Sequence, residues 1–252
     1  MSSKTLIIQV SDPHLFGDKN REINGSNSYV SLKNVLESVF KLKDKPDFIV
    51  LTGDLSQDCT FESYQYLKNL LSRSNIKYFL LPGNHDDVDV LNKVFDFNWI
   101  KDNVDYCWTY NGWFFYSIDT SFYPYAYGKI SDAQLATFQS VLNLNKNLPT
   151  IVFMHHHPIL INSLWMDKTI VKDAEKFNSI VKTNTQIKAV LFGHVHQNFE
   201  KIINDVFYAS SPSSCFQVLA NSEMFTVEKL IPGYRIIELN DNNFSSNVVW
   251  VE

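Results

Sequence analysis

Short apolar runs that break off at polar residues recur along this chain, with segments of helical spacing between them. Residues 5–10 (TLIIQV) form a short apolar run that gives way to Ser11, Asp12 and Pro13, which predicts a buried strand followed by a loop. A polar loop over 18–27 follows. From 28 to 43 the apolar positions Val30, Leu32, Val35, Leu36, Val39, Phe40 and Leu42 take up helical spacing, closed by Lys45 and Pro46. Residues 47–52 repeat the strand pattern with Phe48, Ile49, Val50 and Leu51, and stop at Gly53 and Asp54. Residues 60–72 read as a helix with Phe61, Tyr64, Leu67, Leu70 and Leu71 on its apolar face, and 76–81 as a third strand stopping at Pro82 and Gly83. The order βαβαβ within one sheet implies parallel strands and right-handed crossovers.

Residues 88–95 read as a short helix. The runs 106–110 and 113–118 flank Asn111-Gly112, the pair that best fits a tight hairpin turn. Residues 122–128 form a tyrosine-rich loop, and Ser131 caps a helix to about 144 with Gln134 completing a capping box. A strand over 150–154 ends in His155, His156, His157 and Pro158; 159–172 are irregular, 173–181 helical, and a strand over 187–192 leads to Gly193. The remainder is strand-rich, with short strands expected at 199–203, 206–209, 214–218, 225–228, 234–239 and 247–251. Strand–helix alternation followed by strands fits an α/β protein, a four-layer α-β-β-α sandwich in which two mixed sheets pack face to face with helices outside. No repeat or linker interrupts residues 1–252, so one domain is expected.

Composition narrows the function. At 252 residues and 45% hydrophobic the chain can bury a substantial core, and its net charge of -5 argues against nucleic acid as the partner. Cys59, Cys107 and Cys215 are widely spaced and form no CxxC pair, which fits reduced thiols. Neither a secretory leader nor an apolar run of membrane-spanning length is found, so a cytoplasmic protein without membrane attachment is expected.

The chemistry sits where the apolar runs stop. Asp12 and His14 form a DxH pair, Asp54 follows Gly53, Asn84, His85 and Asp86 follow Gly83, His155 ends a strand, and His194 and His196 form GHxH. Alternate positions on an extended segment project to the same side, so each pair can reach common ions. Any one motif is weak, since a Gly-Asp step is often only a turn. Carboxylate, amide and imidazole groups at five strand ends suggest one metal-centred site, because strand ends of α/β sheets line the ligand crevice. Mixed nitrogen and oxygen donors favour Mn, Fe, Co or Zn over Ca.

The ordered set DxH, GD, GNH, H and GHxH resembles the signature of the calcineurin-like metallophosphoesterase superfamily. Within it, the segments SDPHLF, GDLSQD, LPGNHD, MHHHP, LFGHVHQ, SPSSCFQ and PGYRIIEL are similar to bacterial class III 3',5'-cyclic AMP phosphodiesterases over nearly the whole chain. The resemblance implies two transition metals, Fe or Mn foremost with Zn or Co as alternatives. Asp12, His14 and His196 would hold one and Asn84, His155 and His194 the other, with Asp54 bridging. It further implies attack of a metal-bound hydroxide on phosphorus, with His14, Asn84, His85 and His196 around the substrate and His85 protonating the departing 3' oxygen. The expected substrate is 3',5'-cyclic AMP, giving 5'-AMP; the alternative is another phosphodiester or nucleotide, such as a 2',3'-cyclic nucleotide or a glycerophosphodiester.

Three points stay open. Many superfamily members carry Asp three residues after the bridging Asp, where it orients the catalytic His; here that place holds Gln57, with Asp58 next, so the partner of His85 is not given. If the strand ran on through Pro158, His157 would share the side of His155 and His156 would point away; both are read as supporting residues rather than ligands. The aromatic loop Phe122, Tyr123, Pro124, Tyr125, Ala126, Tyr127 suits either stacking on a purine, worth ~1–3 kcal/mol, or packing in a homodimer. The loop over 16–27 and the turn over 165–167 are further candidates for shaping the pocket.

Overall fold

In the computed structural model of the chain, residues 4–95, 106–240 and 243–252 are described. The first half follows the expected alternation. Strand β1 (Thr5–Val10) leads through a two-residue ribbon, β2 (Glu22–Ile23) with β3 (Ser26–Asn27), into helix α1 (Ser28–Phe40). Then come β4 (Phe48–Thr52), α2 (Phe61–Leu71), β5 (Lys77–Leu81) and α3 (Val88–Phe95). The hairpin β6 (Tyr106–Tyr110) and β7 (Trp113–Ile118) turns at Asn111 and Gly112, whose φ of 47° and 78° are the left-handed values a tight hairpin turn requires.

Helix α4 (Asp132–Leu144) begins with the capping box of Ser131 and Gln134, and β8 (Thr150–Met154), α5 (Ala174–Thr183) and β9 (Ile187–Phe192) follow. Within the stretch read as irregular, Met166–Thr169 forms a single 3-10 turn. The strand-rich end comprises β10 (Glu200–Ile203), β11 (Val206–Ser210), β12 (Gln217–Val218), β13 (Val227–Glu228), β14 (Gly233–Asn240) and β15 (Asn243–Trp250).

Two mixed sheets result. One runs β15-β14-β1-β4-β5, with β1, β4 and β5 parallel; the other runs β10-β11-β9-β8-β7-β6, with β11, β9, β8 and β7 parallel. Period-2 alternation sends successive side chains into different cores. Ile7, Phe48, Val50, Ile151, Phe153, Ala189 and Leu191 meet between the sheets. Their neighbours Ile8, Val10, Ile49 and Leu51 pack under α1, α2 and α3, while Val152, Met154, Val190 and Phe192 pack under α4 and α5. This burial on both faces explains why the parallel strands read as continuous apolar runs. The layering is the expected α-β-β-α sandwich.

The tail departs from the sequence reading. The strand expected over 214–218 shrinks to Gln217–Val218 and that over 225–228 to Val227–Glu228; the two pair with each other as a small ribbon outside both sheets. The reason is a buried serine run that bonds to the end of β1 instead of a ladder: Ser213 Oγ donates to the Asp12 carbonyl (2.8 Å) and Ser214 Oγ to the Ser11 carbonyl (3.0 Å). Conversely β15 starts at Asn243 rather than 247, because it pairs with β14 along its whole length. Among the described residues no helix is long and apolar enough to cross a membrane.

Candidate metal centre

The parallel strands β1, β4 and β5 of one sheet and β8 and β9 of the other end at the same edge of the sandwich, so the five motifs converge. After the strands stop, the loops stay paired: Asp12 N bonds to the Gly53 carbonyl (3.1 Å) and His14 N to the Asp54 carbonyl (3.0 Å). Gln9, buried in β1, ties the two sheets beneath the site through Nε2 to Thr52 Oγ1 (3.1 Å) and the Phe192 carbonyl (3.0 Å). The glycines preceding the polar residues are needed for space. A Cβ on Gly53 would strike His155 Nδ1, one on Gly83 the Asp54 carboxylate, and one on Gly193 Ser11 Oγ.

The local conformation differs from the extended one read from the sequence. Asp12, His14, Asp54, His194 and His196 have φ of 52°, 47°, 50°, 68° and 49°, left-handed values that non-glycine residues rarely adopt. The pairs do share a side, but because the chain turns sharply at each of them, not because a strand continues. Asp12, His14, Asp54, His155, His194 and His196 are all buried; Asn84 and His85 are half-buried at the edge.

Hydrogen bonds assign the imidazole protons. His14 Nδ1 lies 2.7 Å from Gln57 Oε1, His196 Nδ1 2.9 Å from the Phe216 carbonyl and His155 Nδ1 2.7 Å from the Thr52 carbonyl. Each acceptor places a proton on Nδ1 and turns Nε2 toward the centre, where it offers a lone pair whenever the ring is neutral. His14 Nε2 and His196 Nε2 then face each other at 3.0 Å, close to Asp54 Oδ2 (3.6 Å from His14) and Asp12 Oδ1 (3.5 Å from His196). Two lone pairs and two carboxylate oxygens turned on one point repel unless a cation sits among them.

The second cluster has the same character. His155 Nε2 faces Asn84 Oδ1 at 3.2 Å and Asp54 Oδ1 at 3.3 Å. His194 carries the opposite tautomer, because Thr169 Oγ1, whose own proton goes to the Met166 carbonyl (2.6 Å), accepts from Nε2 at 2.8 Å and leaves Nδ1 as the lone pair. Asp12 with His14 and His196, and Asp12 with Asp54 and His155, each form a group of ligand atoms within 4.8 Å of one another. The donor set therefore fits two nitrogen- and oxygen-bound ions sharing Asp54.

Electrostatics agree. Burial, with the neighbouring His196, pushes His14 down to about 4, so its lone pair is available at neutral pH. Burial alone would also lower His155, but the Asp54 carboxylate facing it outweighs this and raises it to about 9; a proton there does the work of a cation. Burial raises both carboxylates, yet the imidazoles beside them win, His196 lowering Asp12 and His155 lowering Asp54 well below the usual range.

Around this centre lie residues that brace it, among them Asp86 of the motif after Gly83. Asp86 binds the loops together: its carboxylate accepts from Gly83 N (2.8 Å), Leu55 N (3.0 Å), Ser56 N (2.9 Å) and Tyr64 Oη (3.0 Å). Thr169 and the Phe216 carbonyl carried no signal, the first sitting in irregular chain and the second being backbone. The expectation that His156 points away is overturned. Its ring packs 4.7 Å from His155 and 4.6 Å from His194, with Nδ1 on Thr120 Oγ1 at 2.8 Å, because β8 ends at Met154 and alternation ends with it. His157 stacks on His194 at 5.8 Å. In the aromatic loop Phe122 stacks on Tyr125 (5.4 Å) and Tyr125 on Tyr127 (4.9 Å), while Tyr123 stays 88% exposed.

Comparison with known proteins gives this geometry a family. A 3',5'-cyclic-nucleotide phosphodiesterase of Nostoc sp. (strain PCC 7120) is 31% identical over 92% of this chain and 87% of its own. The 3',5'-cyclic adenosine monophosphate phosphodiesterase CpdA of Haemophilus influenzae is 29% identical over 94% and 86%. In three dimensions a dimetal phosphatase of Danio rerio superposes with a TM-score of 0.71 over 98% of this chain and 99% of that one, at 11% identity, a likeness of fold. The profile described as calcineurin-like phosphoesterase matches residues 5–198, from β1 past the GHxH loop, and the protein belongs to that family of phosphoesterases, which use a dinuclear divalent metal site.

Proposed function

We propose that this phosphoesterase is a metal-dependent phosphodiesterase that hydrolyses 3',5'-cyclic AMP to 5'-AMP. The chemistry rests on one observation, the inward-facing lone pairs of His14 and His196 against Asp12 and Asp54, with His155 and Asn84 on the far side of Asp54. The substrate class is supported by relatives that carry cyclic-nucleotide phosphodiesterase names over most of the chain. In this reading Asp12, His14 and His196 would hold one ion, Asn84, His155 and His194 the other, and Asp54 would be shared; Mn or Fe suits the donors, with Zn or Co able to replace them. When bound, the ions would supply positive charge against the phosphoryl oxygens and lower the pKa of a coordinated water.

The protein side chains supply the rest. Asn84 and His85 lie at the half-buried rim, where substrate enters, and the His85 backbone is fixed by its N–H to Asp54 Oδ1 (2.9 Å). His85 gives a proton to the departing 3' oxygen as the P–O bond breaks, and a proton from the attacking water replaces it. His14 and His196 line the phosphate side.

The test is hydrolysis of 3',5'-cyclic AMP by the purified protein with added Mn, beside cyclic GMP, 2',3'-cyclic AMP, glycerophosphodiesters and bis(p-nitrophenyl) phosphate. Preference for 3',5'-cyclic AMP with release of 5'-AMP, and loss of bound metal and of rate in Asn84→Ala, supports the reading. Turnover of bis(p-nitrophenyl) phosphate without any of the cyclic nucleotides keeps the metal chemistry and rejects the substrate.

A further inference from the structure

Gln57 touches two histidines at once. Its Oε1 lies 2.7 Å from His14 Nδ1 and its Nε2 3.3 Å from His85 Nδ1. An amide oxygen only accepts and an amide nitrogen only donates, so the two contacts have opposite meanings. Against the oxygen, His14 must carry its proton on Nδ1, which frees Nε2 toward His196. Against the N–H, His85 must present a lone pair on Nδ1, which puts the ring proton of neutral His85 on Nε2.

The reverse orientation of the amide fails a simple test. It would place an N–H against His14 Nδ1 and move the His14 proton to Nε2, into the 3.0 Å gap facing His196 Nε2. That is tolerable only while no ion occupies the gap.

Asp58, the other candidate partner of His85, is turned away. Its carboxylate accepts from Gly17 N (3.0 Å), Thr60 Oγ1 (2.8 Å) and Thr60 N (3.3 Å), holding the chain at the entrance to α2. The main chain of His85 is pinned separately, through N–H to Asp54 and through its carbonyl, which accepts from Cys59 Sγ at 3.0 Å. Gln57 is thus free to act on the ring alone.

We infer that Gln57 is a positioning residue that sets two proton positions with one amide, making His14 a lone-pair donor at Nε2 and His85 a hydrogen-bond donor at Nε2. A carboxylate in its place accepts from both rings and draws the His85 proton toward Nδ1, away from the substrate side. The kinetic part rests on the phosphodiesterase reading above; the tautomer part does not.

Long-range proton–nitrogen NMR on the full Zn-loaded chain reads the tautomer directly. Unprotonated Nδ1 and protonated Nε2 are expected for His85 in the wild type, with Nδ1 becoming protonated in Gln57→Glu. In Gln57→Leu, kcat for 3',5'-cyclic AMP, whose departing alkoxide needs a proton, is expected to fall roughly tenfold or more with KM little changed. With zinc saturating, turnover of bis(p-nitrophenyl) phosphate, whose leaving group needs none, should fall less than that of cyclic AMP, and zinc should bind more weakly because His14 has lost its Nδ1 acceptor. A wild-type His85 protonated on Nδ1, or equal loss on both substrates at saturating zinc, overturns the inference. If the wild type leaves cyclic AMP untouched, the substrate reading falls while the tautomer measurement still decides the role of Gln57.

Discussion

Left-handed backbone at Asp12, His14, Asp54, His194 and His196 costs about 1–2 kcal/mol at each position, and the surroundings over-determine it. His194 N, for example, donates to both oxygens of Asp12, at 3.0 and 3.1 Å. The strain holds lone pairs and carboxylates closer together than they would settle unaided, which leaves the fold poised for cations. His155 makes the consequence measurable. Below about 9 it carries a proton that a metal bound as proposed would displace; above that value it does not. Metal affinity of the metal-free chain is therefore expected to fall about tenfold per pH unit as pH drops below about 9, on account of this group, and to level off above it. Titration calorimetry near neutral pH, in buffers of different ionisation enthalpy, should show about one proton released through His155 for each chain loaded. Heats that do not depend on the buffer would count against the assignment. The motif residues were legible because imidazole, carboxylate and amide side chains announce their chemistry. The atoms that orient them were not: the Thr52 and Phe216 carbonyls are backbone and have no sequence identity.

At the level of elements, capping and alternation carried the reading. Ser131 Oγ accepts from Gln134 N (3.2 Å) while Gln134 Oε1 accepts from Ser131 N (2.9 Å), so two otherwise unpaired donors at the start of α4 are satisfied. Ser131→Ala is expected to cost about 1 kcal/mol. In a chain of this size that is a fall of about 2–4 °C in Tm by calorimetry, with turnover unchanged. An unaltered Tm would mean that tertiary packing holds the helix without its cap. Short strands were harder to read. Residues 214–218 look like a strand by composition, yet Ser214 Oγ and the preceding Ser213 Oγ donate to the Ser11 and Asp12 carbonyls, so this stretch braces the loop after β1 rather than extending either large sheet.

Across the whole molecule the two sheets are joined by more than apolar contact. Arg235 on β14 is fully buried and donates from Nε to the Ser210 carbonyl (2.9 Å), from Nη1 to Glu200 (2.7 Å) and Ser246 Oγ (2.9 Å), and from Nη2 to Asn198 Oδ1 (2.7 Å). Ser210 and Glu200 belong to the second sheet, so the guanidinium bridges both. Burial lowers its pKa and Glu200 works against that. Arg235→Ala should lower the unfolding free energy by about 3 kcal/mol in urea, with Arg235→Met losing less because the packed stem is kept. Equal losses for the two would assign the effect to the bonds alone.

The layer order, the ends of the parallel strands and the polar motifs that follow them can be read from the chain alone, because burial on both faces and turn chemistry are local signals. The metal-capable residues can be named from it as well. Which of them share a point in space was fixed by packing, since that depends on two sheets meeting at one edge and on backbone turning left-handed where an extended path was expected. Packing likewise decided that Gln57, and not Asp58, meets the ring of His85, a choice between adjacent residues that no local pattern distinguishes.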